Sequence, residues 1–344
     1  MEPFTHAFTS LALARAGQRR LPRFGLVMLV AAGLAPDLDY ASYFEGPRAF
    51  LSLHRSALHS LTGATAMAAA LAAAFCLLDK KLPAGKTAQA KTFQPLTFAT
   101  AFAVCAIGAT GHMLLDVVSG VGVQLLWPFR ARWFAWSLAA DVDLWTLVLL
   151  VAGFLLPFLL KLVREEIGEP RSSPRGSPAA VFTLLLLVAY FGARVYLRDQ
   201  AIDLLLSREY HGRIPLSAGA FPQSSTPFDW RGVVVTDNTI ETIEVPVGAN
   251  AQFDSDHSLT NYKPDESPAL VAGEQTAATA KFLAYARFPV ATVMRREDGY
   301  RVEVRDLRFE RDDDSPANIF VRVDLNSEMQ VQEEGFRFAS SPNP

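Results

Sequence analysis

From Phe4 to Leu197 the apolar residues run in long blocks with few charges, and from Arg198 to Pro344 they stand singly between charged and polar residues. Four blocks in the first region, residues 58–78, 98–118, 142–160 and 179–197, are long and charge-poor enough to cross a bilayer as helices. Two shorter pieces, Phe4–Ala14 and Phe24–Ala35, reach only about half of the hydrocarbon thickness and predict a helical hairpin, re-entrant or packed. In the second region GVVVT, YRVEVRDLRF and IFVRVDLN alternate with period two, and DNT, REDG and DLNS supply turns between them. That pattern predicts an antiparallel sheet with one packed face. FPQSSTPFDW, residues 221–230, reads as an extended loop leading into the sheet, and EPRSSPRGSP, residues 169–178, as a linker. The fold class expected is therefore an α-helical integral membrane domain, residues 1–198, of four spans plus an N-terminal hairpin, followed by a β-rich extracytoplasmic domain, residues 199–344.

Composition agrees, since 50% hydrophobic residues with a positive mean hydropathy exceed what a soluble chain of 344 residues needs. The amino terminus carries Glu2 and no basic n-region, so it is not expected to be cleaved as a signal peptide. Short basic loops stay in the cytoplasm. Arg15, Arg19, Arg20 and Arg23, then Lys80, Lys81, Lys86 and Lys91, then Lys161, Arg164, Arg171 and Arg175 place twelve basic residues in three connections, against four (Arg48, Arg55, Arg130, Arg132) in the alternate two. This bias puts loops 15–23, 79–97 and 161–178 inside the cell and sends the chain outward after Leu197. A net charge of −3 argues against a nucleic-acid partner and leaves membrane lipids as the expected surroundings. Cys76 and Cys105 both lie in apolar runs, which excludes a disulfide framework or a CxxC metal site.

The same orientation gathers ionisable residues on the outer side. Asp37 and Asp39, in LAPDLDY, end the second half-helix; His54 and His59, in HRSALHS, precede the next span; His112 and Asp116 fill the last turns of the span from 98; Asp141 and Asp143 open the one after. If the first half-helix runs inward, His6 joins them, and four of the six histidines share one site. Each alone has a plain structural account. A PDLD turn caps a helix, an HxxxD pair bonds within its own helix, aspartates suit a helix N-terminus, and Arg55 at a membrane mouth meets headgroups. Together, and within spans where ionisable groups are costly, they point to a metal site. His112 and Asp116, four apart, project from one helix face. His54 and His59 are separated by about 140 degrees on a regular helix, so both reach one site only if residue 54 lies in the preceding turn, which favours His54 as the ligand. Nitrogen and carboxylate donors without thiolates suit zinc, or less specifically manganese or iron, and more than four donors would allow two ions.

The ordered set PFTHAFTSLALAR, LAPDLDY, HRSALHS, GHMLLDVVSGVGVQLLWPF and AADVD, spanning about residues 1–160, resembles the bacterial membrane-bound metal-dependent hydrolases related to the inner-membrane protein YdjM. FDWRGVVVT and VRDLRF resemble the extra domain of longer members. The resemblance implies a helical membrane hydrolase distantly similar to zinc phospholipase C and P1 nuclease, with His6, Asp37, His54, His112 and Asp116 at the ligand positions and His59 and Asp39 at further motif positions. The expectation is hydrolysis of a phosphoester, such as a phospholipid headgroup, at zinc near the outer membrane boundary, with Asp39 or His59 as base or orienter and Arg55 steadying the phosphate. The competing expectation is a non-enzymatic membrane scaffold or metal-binding sensor whose sheet domain binds a partner. A transporter is disfavoured because no paired short segments recur in the second half.

Overall fold

A computed structural model of the chain describes residues 1–18, 21–82, 96–166, 177–248, 252–309 and 319–338. Arg19, Arg20, Lys86, Lys91, Arg171 and Arg175, counted above for orientation, and most of the 169–178 linker lie outside the described residues. The membrane region runs α1 (Pro3–Ala16), α2 (Gly25–Leu34), a 3-10 segment (Ala35–Glu45), α3 (Pro47–Leu53), α4 (Leu61–Lys81), α5 (Phe98–Val118), α6 (Leu144–Glu166) and α7 (Pro178–Leu206). Four of these, α4 to α7, are long and apolar enough to cross a membrane. The expected hairpin is α1 and α2, packed on one another.

Small residues bring the inner helices together. Ala64, Ala68 and Ala72, four apart, form the buried stripe of α4, and Ala101, Cys105, Gly108, Ala109 and His112 form that of α5. A Cβ at Gly108 would stand 2.6 Å from the Leu29 carbonyl oxygen and 3.2 Å from the Gly33 nitrogen, so α2 and α5 touch through backbone. On the outer faces Leu77, Phe98, Ile107 and Leu114 stay exposed, as lipid contact requires.

Three expectations need correction. The third helical block begins at Leu61 and not at residue 58, because Ser60 takes the N-cap and accepts from the Gly63 amide at 3.0 Å. HRSALHS is therefore a loop. The last span does not stop at 197 but continues to Leu206, since Leu197, Ala201 and Leu205 keep a helical spacing that packs on Trp230 and Val245 of the following sheet. The boundary at residue 198 thus falls inside a helix. Finally, the single sheet is two four-stranded antiparallel sheets, β1 (Ser217–Pro222), β2 (Asp229–Val235), β3 (Thr239–Pro246) and β4 (Leu259–Tyr262), then β5 (Pro289–Arg296), β6 (Gly299–Asp306), β7 (Ile319–Asn326) and β8 (Val331–Phe338). FPQSSTPFDW is the β1–β2 connection with its flanking strand ends, and the three turn signals all join consecutive strands. Two short helices, α8 (Pro268–Glu274) and α9 (Ala277–Leu283), cover the second sheet through Leu270 and Phe282.

The two regions are pinned together. Arg308, buried with Asp306 at 2.8 Å, donates to the Gly120 carbonyl at 3.0 Å, and Arg287 donates to the Ala135 carbonyl at 2.9 Å. Tyr43 and Phe50 of the membrane region pack on Phe338 of β8, with ring centroids 4.8 and 6.0 Å away.

Candidate metal centre

Four short stretches deliver the chemistry. The chain leaves α2 at Pro36 in tight 3-10 turns that carry Asp37 and Asp39 inward. The loop between α3 and α4 holds His54, Arg55 and His59, with Arg55 at φ 59°, a left-handed conformation that reverses the chain. The last turn of α5 brings His112 and Asp116 beneath them, and α1 lays His6 flat against His112 with ring centroids 3.7 Å apart.

Donor atoms converge at one position. His59 Nε2 and His112 Nε2 are 3.0 Å apart, and Asp116 Oδ2 lies 3.2 and 3.1 Å from them. Asp37 Oδ1 lies further out, 3.9 Å from His59 Nε2 and 3.7 Å from His112 Nε2, and falls in a second donor group with His6 and His112. All four side chains are largely removed from solvent.

Hydrogen bonding on the far side of each ring fixes what these atoms can be. His112 Nδ1 donates to the Gly33 carbonyl at 2.7 Å and His59 Nδ1 to Asp39 Oδ2 at 2.9 Å, and since both partners accept, Nδ1 carries the hydrogen in each ring. In the neutral rings both Nε2 lone pairs then face each other and two carboxylate oxygens. Asp37 Oδ2 and Asp116 Oδ2, with His6 Nδ1, are buried without a hydrogen-bond partner among the described residues. The three electron-pair donors of His59, His112 and Asp116 repel unless a cation or a proton sits between them. In a metal-free chain the proton is drawn to His59: burial would lower this imidazole, but the neighbouring Asp116 and Asp39 carboxylates outweigh it and raise it to about 9. The spacings of 3.0–3.2 Å among His59 Nε2, His112 Nε2 and Asp116 Oδ2 suit three ligands of a zinc-type ion, for which bonds of about 2.0–2.1 Å give donor spacings of about 3.3 Å.

The remaining residues take supporting places. Asp39 accepts from His59 Nδ1, from His54 Nδ1 at 2.7 Å and from the Arg55 amide at 3.0 Å. Burial would raise its carboxyl, yet the two histidine bonds hold it down at about 2, whereas burial pushes Asp37 upward. This is the carboxylate that orients a ligand ring. His54, favoured by spacing as a ligand, instead stacks on Phe50 and bonds Asp39, and the geometry gives His59 the ligand position. The helical argument failed because residues 54–60 are not helical, so the 140-degree separation does not apply. His6 lies 3.3 Å from Asp116 Oδ1 and belongs to a second possible donor group with Asp37 and His112. His112 Nδ1 is committed to Gly33, so one ring cannot serve both groups through Nε2.

Arg55 is buried and donates to Asp141 Oδ1 at 3.0 Å and Ser119 Oγ at 2.8 Å. Asp143 turns away from the site to cap the Thr146 amide and accept from Tyr190. Ser119 and the Gly33 carbonyl escaped sequence reasoning; the only signal for the latter was the pair of glycines where α2 meets α5. Against Arg55 and Asp141 opens a cavity of about 270 Å³.

Residues 1–201 match the sequence model of the YdjM inner membrane protein family. No curated protein and no solved structure matches the chain. The match contains the whole donor cluster and ends within α7, before the first sheet. Covering more than half of the 344 residues, it establishes that the chain belongs to the YdjM inner membrane protein family.

Proposed function

We propose that this chain is a multi-pass, metal-dependent hydrolase that splits a phosphoester at the outer face of the inner membrane. The observation that carries this reading is the convergence of His59 Nε2, His112 Nε2 and Asp116 Oδ2, from two separate stretches, on one buried point, with Asp37 Oδ1 3.7–3.9 Å from the two nitrogens. His59, His112, Asp116 and Asp37 would hold the ion, most suitably zinc. The chemistry a divalent ion supplies in such a site is polarisation of a phosphoryl oxygen and activation of water near neutral pH.

The protein's own residues do the rest. Asp39 sets the ring plane and tautomer of His59, and the Gly33 carbonyl does so for His112. Arg55, held by Asp141 and Ser119 beside the cavity, offers a planar cation to a phosphate oxygen. His54, anchored through Nδ1, borders the cavity where a proton must move to a leaving group. No likeness to zinc phospholipase C or P1 nuclease supports the substrate; the phosphoester rests on the donor set and Arg55. The outward orientation rests on the excess of lysine and arginine in the alternate loops, and it places the sheet domain outside the cytoplasm.

The test is elemental analysis of detergent-purified protein after zinc loading and dialysis, with His112→Ala and Asp37→Ala alongside, followed by a screen of soluble phosphoesters and phospholipids. Wild type should retain metal and turn over a phosphoester, and both variants should lose both. Full metal retention in the variants would overturn the ligand assignment. Bound metal without turnover of any phosphoester would favour the sensor or scaffold reading.

A further inference from the structure

We infer that the cavity beside the metal centre receives a phosphoester carrying an apolar chain, and that the C-terminal domain, through Tyr285 and Ile319, forms the wall that selects for that chain. The phosphoester half rests on the proposed function; the apolar half rests on the cavity alone. One end is polar, bordered by His54, Arg55 and Asp141. The rest is walled by Phe50, Leu51, Val121, Trp133 and Ile319. A small polar substrate would leave that wall wet, and a hydrocarbon would strip water from Arg55 and Asp141 without replacing it. Only an amphiphile matches both ends.

Two residues of the wall come from outside the family match. Tyr285 and Ile319 lie beyond residue 201. Arg308 braces Tyr285, donating to its carbonyl at 3.2 Å with the guanidinium 5.1 Å from the ring centroid, while also gripping Gly120 of the membrane region. The opposite lip is Pro3 and Val142, at the starts of α1 and α6. Val142 is 57% exposed, and the exposed apolar surface continues through Phe4 (71%) and Leu144 (50%). Glu2 donates its amide to the Asp141 carbonyl at 3.0 Å, which joins these two segments into one lip facing the C-terminal wall.

The probes are n-hexylphosphonate and methylphosphonate, neither of which can be hydrolysed at a P–O–C bond because the carbon is bound directly to phosphorus. Binding is read by calorimetry on the zinc-loaded full chain held in amphipol. Each methylene moved from water to an apolar wall contributes about a fourfold gain, so three buried methylenes predict hexylphosphonate binding at least thirtyfold tighter than methylphosphonate. Val142→Trp, at an exposed position, narrows the lip and should reduce that ratio below about fivefold. Ile319→Ala cuts back the C-terminal wall and should reduce it at least threefold, with zinc content reporting that the membrane region is folded in both variants and limited proteolysis that the C-terminal domain is. A wild-type ratio below threefold, or a ratio unchanged in both zinc-retaining variants, overturns the inference. Hydrolysis of short soluble phosphoesters with no chain preference would sink this inference and leave the proposed function standing. A large ratio with no hydrolysis would do the reverse.

Discussion

Removing the Asp39 carboxylate tests whether the ring that would meet the proposed ion is His59 or His54. Asp39→Ala deletes three hydrogen bonds at once, to His54 Nδ1 (2.7 Å), His59 Nδ1 (2.9 Å) and the Arg55 amide (3.0 Å). Without an acceptor on Nδ1 the His59 ring can turn and can place its hydrogen on Nε2, where the ion needs a lone pair. Loss of such an orienting partner costs about 10- to 100-fold in metal affinity, or about 1.4–2.7 kcal/mol. His54→Ala provides the comparison. It leaves the Asp39–His59 bond in place and should change affinity by less than about threefold. The assay is competition for zinc against a chromophoric chelator in detergent, with thermal unfolding run in parallel. Stability should fall in the Asp39 variant too, because bonds to a charged acceptor contribute about 1.5–3 kcal/mol each. An unfolding effect alone would not reproduce the difference between the two variants. Wild-type zinc affinity in Asp39→Ala, or loss of zinc in His54→Ala as complete as in His112→Ala, would refute the geometry.

Three further outcomes follow from other contacts. Gly108→Val drives a side chain into the Leu29 carbonyl, separates α2 from α5 and should lower stability by about 1–3 kcal/mol or more, with metal lost as well because His112 leans on Gly33; thermal unfolding and metal content check both. Arg308→Ala strands Asp306 in a buried setting at about 3–5 kcal/mol and frees the Gly120 contact, so limited proteolysis should degrade the C-terminal region faster while zinc stays bound to the membrane region. Stripping the ion with a chelator should lower the unfolding temperature, and zinc at about 100 times its Kd should restore about 2.7 kcal/mol; an unfolding curve insensitive to both would contradict a site formed only in the folded chain.

Residues 98–118 appeared at their true limits from sequence, because a charge-free run flanked by polar segments has one way to cross a bilayer. The candidate ligands His112, Asp116 and Asp37 stood out for a related reason: ionisable groups in or beside such runs have few tolerable places. His59 was undervalued because a periodicity argument was applied to a loop. α8 and α9 went unseen since each is a seven-residue helix, too short to show an apolar stripe.

The sequence by itself determined the spans, the hairpin, the strand-rich second half and the residue types that could grip a cation, all of which follow from local hydropathy and local chemistry. Tertiary structure alone decided which nitrogen faces which oxygen. That His59 and His112 stand 3.0 Å apart depends on a left-handed Arg55, on 3-10 turns after Pro36 and on Gly108, which lets α2 touch α5. It also decided that Tyr285 and Ile319, remote in sequence, border the same cavity as Arg55. Such meetings are fixed by the packing of distant segments, and no window along the chain contains them.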